Sequence, residues 1–102
     1  MPLYAKIDAA SSGDNTLVAA TSGRKIKVTA LFLVAAGAVT VRFESAAGGT
    51  ALTGQMNFPA NGGIVLPENS RGWFETNAGE LLNLELGGAV SVDGALTYEL
   101  VG

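Results

Sequence analysis

The chain has 102 residues, 48% of them hydrophobic and 15% charged, with a formal net charge of −3 at pH 7. That length makes one domain with a single core and little room for a deep substrate cleft, and so apolar a composition excludes a disordered chain. The shortage of charge, against ~25% in an average soluble domain, implies that part of the surface is covered in use.

In chain order, residues 1–6 show no charged stretch followed by an apolar one, so no signal peptide is expected. Residues 1–8 read as an N-terminal arm or an edge strand. Candidate strands follow at Leu3–Ala9 and at residues 16–20. Between them, Asp14-Asn15 after Ser11-Ser12-Gly13 offers too few oxygens for a calcium ion, which takes six to eight. An Asx-type turn is the better reading. The next strand, Lys25–Ala35, departs from simple alternation. Ile26, Val28, Ala30, Phe32 and Val34 make one apolar face, while the other begins polar at Lys25, Lys27 and Thr29 and turns apolar at Leu31 and Leu33. Either this is a central strand covered on both sides by its own fold, or Leu31 and Leu33 pack on a partner subunit, because a large apolar patch is costly to leave in water.

Val39, Val41 and Phe43 alternate with Thr40, Arg42 and Glu44, the pattern of a strand with one buried and one wetted face. A short strand is expected at Ile64-Val65-Leu66, between Asn61-Gly62-Gly63 and Pro67. Arg71-Gly72-Trp73-Phe74-Glu75 is the most distinctive cluster, holding the only tryptophan. In strand geometry Trp73 and Phe74 point to opposite faces, so one should be core and the other wall or surface; either both are simply buried, or one serves as a sugar-stacking platform or an intersubunit anchor. Leu82, Leu84 and Leu86 alternate with Asn83 and Glu85, and Leu96, Tyr98 and Leu100 with Thr97 and Glu99. Asp93-Gly94 has the two-residue spacing of a type I′ hairpin turn, and with Gly87-Gly88 it predicts a three-stranded meander over residues 80–101. About eight short antiparallel strands, with turns every 8–12 residues, predict an all-β, single-domain β-sandwich of the jelly-roll type spanning 1–102.

Chemistry has few carriers here. There is no histidine and no cysteine, which removes the usual general base, nucleophile–base pairs and zinc ligands. The nine acidic residues fall largely on polar strand positions and read as a solvated face. The glycine pairs lack the lysine and the strand–loop–helix setting of a phosphate loop. No enzyme activity, cofactor or metal is expected. Only Arg24, Lys25 and Lys27 cluster among the six basic residues, so direct nucleic-acid contact is not expected. The longest apolar run, residues 30–36, is far short of the ~20 needed for a membrane helix.

The run from Arg71-Gly72-Trp73-Phe74-Glu75-Thr76 through Ala78-Gly79 to the Leu/Asn-alternating strand at Leu82 resembles one that recurs in small tailed-phage and prophage proteins. Leu31-Phe32-Leu33-Val34-Ala35-Ala36-Gly37 before Val39-Thr40-Val41, and the ending Gly94-Ala95-Leu96-Thr97-Tyr98, fit the same likeness. It covers most of the chain from about residue 15, and its motifs are structural. The resemblance implies a virion component made in the host bacterial cytoplasm, in particular a capsid decoration (cement) protein on the outer shell. Such a protein would contact the major capsid protein and form a homo-oligomer, a trimer being favoured. The alternative is a tail or receptor-binding jelly-roll module that recognises a host glycan or surface protein. Candidate subunit or partner contacts are Leu31, Leu33, Arg71, Trp73 and Phe74.

Overall fold

The alternating runs become ten strands in the structure, a computed structural model that describes residues 3–102. They are β1 (Leu3–Ala9), β2 (Gly13–Val18), β3 (Lys25–Ala35), β4 (Val39–Ser45), β5 (Thr50–Ala51), β6 (Met56–Phe58), β7 (Gly63–Leu66), β8 (Phe74–Glu75), β9 (Leu82–Leu86) and β10 (Val92–Val101). All pair antiparallel in two five-stranded sheets. The first sheet runs β1-β10-β3-β7, with β8 also on β3; the second runs β2-β9-β4-β5, with β6 also on β4. Thus β7 and β8 share one edge of β3, and β5 and β6 share one edge of β4. Each pair holds the place of one interrupted strand, which is how about eight expected strands become ten. Of the segment read as an arm or edge strand, residues 3–8 lie in β1 at the edge of the first sheet; Met1 and Pro2 lie outside the described residues.

The core forms where the inner faces meet. Val39, Val41 and Phe43 of β4 and Leu82, Leu84 and Leu86 of β9 line the second sheet, opposite Ile7, Ile26, Val28, Leu31, Leu33, Val92 and Leu96 of the first. Each large side chain buried this way contributes on the order of 1.5–3 kcal/mol before the entropy of ordering is subtracted.

β3 cannot keep one phase along its length. Leu96 pairs with Leu31 and Thr97 with Ala30, but Tyr98 pairs with Val28, which leaves Thr29 as an extra residue on β3. A one-residue bulge moves every later side chain to the opposite face. Ile26 and Val28 therefore point inward, and beyond Thr29 so do Leu31, Leu33 and Ala35. The extra residue is not left orphaned: the Thr29 and Thr97 hydroxyls lie 2.9 Å apart, and the Thr29 carbonyl accepts the Asn69 N–H at 2.9 Å. The expectation that Phe32 and Val34 continue the inner face of Ile26 and Val28 is corrected by this shift.

Asp93-Gly94 makes no hairpin turn. Both residues lie within β10, paired to β1 on one side and β3 on the other. The glycine serves close approach instead, since a Cβ there would overlap the Phe32 carbonyl oxygen. The expected meander over residues 80–101 fails with the turn, because β9 and β10 belong to different sheets. The strand expected over residues 16–20 begins earlier, at Gly13, and Asn15 closes the turn before it: its Oδ1 accepts the Ser11 N–H (3.3 Å) and its Nδ2 donates to the Ser11 carbonyl (2.9 Å).

Candidate functional site

The five side chains singled out in the sequence do not form one surface. Leu31 and Leu33 are 3% and 1% exposed. They are core residues of their own chain and offer nothing to a partner. Phe74 turns inward as well, half-buried with its ring centroid 5.0 Å from that of Phe43. Trp73, on the opposite phase, is 42% exposed at the sheet edge. Its indole N–H donates to the Pro67 carbonyl at 2.9 Å, so the polar end of the ring is already engaged. Arg71 is exposed in the loop before β8, where its N–H donates to Asn69 Oδ1 at 3.1 Å. Beside Trp73 a hollow of about 300 Å³ reaches toward Phe43, Leu52, Met56 and Ile64; no carboxylate lines it.

The exposed apolar surface lies elsewhere, on the outer face of the first sheet. The Thr29 bulge turns Ala30, Phe32 and Val34 outward, and the register across the sheet sets them beside outward residues of three other strands. Tyr4, Thr97 and Ala30 share one row, and Ala95, Phe32 and Val65 the next. Tyr4 is 79% exposed, Val65 75%, Phe32 54% and Val34 50%. Small side chains between the large ones leave a shallow hollow of about 350 Å³, floored around Ala30, Ala95 and Thr97 and walled by Tyr4, Phe32 and Val65. Among its lining residues only the Thr97 and Tyr4 hydroxyls are polar. Four large apolar side chains exposed together form a patch of the kind that marks interaction surfaces.

No family model and no curated protein matches the chain.

The outer face of the second sheet has the opposite chemistry. Arg42 of β4 donates through Nη2 to Glu44 Oε2 and to Glu85 Oε1, both at 2.6 Å. Asn83 of β9 donates to Glu44 Oε1 (2.9 Å) and Asp14 Oδ1 (3.0 Å). Glu44, expected on a wetted face, is only 1% exposed. Burial opposes its ionisation, yet the hydrogen bonds from Arg42 and Asn83 outweigh that and hold its carboxyl below the ordinary range. Hydrogen bonding to Glu44, against a smaller opposing effect of burial, raises the Arg42 guanidinium. Carboxylate oxygens of Asp14, Glu44 and Glu85 lie within 4.8 Å of one another. This is the one acidic grouping among the described residues with a metal-like spacing, but Arg42 already supplies its positive charge and Asn83 occupies two of its oxygens. The arrangement is that of a structural network tying β2, β4 and β9 together.

Sequence reasoning missed Tyr4, Phe32, Val34 and Val65 as one surface. The signal for Phe32 and Val34 was the switch in character after Thr29, where the face opposite Lys25 and Lys27 stops being the only apolar one. Tyr4 and Val65 reach the patch through strand pairing alone.

Proposed function

We propose that the chain is a structural protein of a tailed-phage virion, a capsid decoration protein that binds the outer shell and stabilises it by bridging subunits. The observation that carries this reading is the apolar band over Tyr4, Phe32, Val34 and Val65 on the outside of a small sandwich. A protein whose work is contact needs such a face, and the likeness of the Arg71–Leu84 run to small phage proteins supplies the setting. The strand orders support the jelly-roll form: 1-10-3-7 and 2-9-4-5 run in step, as in the double-sheet roll common among viral capsid and lectin domains.

A receptor-binding module would be favoured by an exposed aromatic beside carboxylates in a groove. Trp73 is exposed, but the hollow beside it carries no carboxylate and its indole N–H is engaged, so the shell-binding reading is preferred. Mixing the protein with undecorated tailed-phage shells and imaging them by electron cryomicroscopy tests it. Added density at regular positions on the shell is the expected result; bare shells overturn the role.

A further inference from the structure

We propose that the outer face of the first sheet is covered by a second copy of this chain, the two sheets packing face to face about a two-fold axis. This rests on the reading of that face as a protein contact and names a partner copy as its occupant, so that the pair would meet the shell with its remaining surface.

Shape is the first argument. The face carries both a ridge and a hollow of matching character: Phe32 and Val65 stand beside the floor made by Ala30, Ala95 and Thr97. An axis running along the strands, between β3 and β10, sets Phe32 of each copy over Ala95 of the other, because these two residues pair across those strands. The same operation lays Val65 of β7 over the aliphatic stem of Lys6 on β1, since both belong to that row. Ridge fills hollow twice, as an isologous interface requires. Two sheets joined in this way form a third layer contact like the one inside the sandwich, where side chains of facing sheets interdigitate.

Charge is the second. The chain carries −3, but the charges around this face are paired within the copy. Lys6 lies 3.8 Å from Asp8, Lys25 lies 3.7 Å from Glu75 and Lys27 lies 3.2 Å from Glu99. Only Asp93, in the row of Val34, adds a further charge. With its ions matched but for Asp93 at one end, the surface gives little hold to a strongly basic or acidic partner and repels its own copy little.

The test is the mass of the protein in solution, by light scattering after size exclusion and by native mass spectrometry, at micromolar concentration. The wild type is expected as a dimer. Phe32→Asp and Val65→Lys, on two different strands, should each weaken association at least tenfold while leaving the circular dichroism spectrum unchanged, and Asn57→Lys on the second sheet should leave the dimer intact. A monomeric wild type, a trimer, or a dimer that survives both substitutions overturns the proposal. The virion role is judged separately, on shells. A wild-type monomer that still coats them overturns the pairing alone, and a dimer that leaves them bare overturns the virion role alone.

Discussion

The two sheets present opposite exteriors built from the same alternating pattern. Outside the second sheet, Arg42, Glu44, Glu85, Asn83 and Asp14 satisfy one another, and among the described residues no buried side-chain polar atom is without a partner. Outside the first sheet, Tyr4, Phe32, Val34 and Val65 stand in solvent with nothing of their own chain over them. The difference teaches where the fold's stability is held. The polar exterior is finished within the copy and belongs to folding, whereas the apolar exterior is left for association.

The sharpest break of this contrast is Arg42→Ala. Removing the cation leaves the 1% exposed Glu44 carboxylate with Asn83 as its remaining donor, so the native state should lose stability clearly. Urea unfolding should show it plainly. Phe32→Ala, an outward substitution on the other sheet, should move the same midpoint by no more than ~0.5 kcal/mol under dilute conditions. Equal costs would erase the distinction between the two exteriors.

Next in size is a pair of neighbours on β3. Leu33→Ala should cost about 2–5 kcal/mol as a core truncation, and Val34→Ala close to nothing in the monomer. Reversed costs would mean that the Thr29 bulge does not shift the strand's phase. Acid titration gives a smaller effect. Glu44 is held below the ordinary range because the Arg42 and Asn83 bonds outweigh its burial, and Glu80 is lowered by hydrogen bonds from Ser45 and Asn77. A carboxyl whose folded value lies below its unfolded one adds stability that is complete above the unfolded value, near ~4.3, and is lost as pH falls through the folded value. Urea midpoints measured from pH 6 down to pH 3 should therefore fall, and should fall less in Glu44→Gln than in the wild type. A further small loss is expected of Thr29→Val, which deletes the hydroxyl facing Thr97 and should cost about 1 kcal/mol in thermal unfolding.

Strand positions and the all-β class were legible because one wetted and one buried face leave a period of two, as in Val39–Ser45 and Leu82–Leu86. What escaped depends on partners distant in sequence. Asp93-Gly94 has the local chemistry of a turn, and only the approach of the Phe32 carbonyl shows why a glycine sits mid-strand. Glu44 reads as a surface acid until Arg42, Asn83 and Glu85 are seen around it. At Thr29 the change of face was visible as an oddity of pattern, but its cause lies in the register with β10. For Leu31 and Leu33 the pattern left two readings open, cover by their own fold or by a partner, because Lys25 and Lys27, on the far side of that bulge, made their face look polar; their burial in the core decides for the first.

The nesting of the strand pairs carries a kinetic consequence. β1 closes on β10, β2 on β9, and β3 also on β10, so Leu3 meets Tyr98 and Lys25 meets Val101. Few of these pairings can form before most of the chain is in hand, and each must overcome the entropy of closing a long loop first. Folding on the millisecond-to-second scale of non-local β proteins follows. Until β10, β7 and β8 have paired with it, β3 keeps both edges unpaired and carries Phe32 and Val34, so the slow step is also when the chain is most open to pairing with other chains.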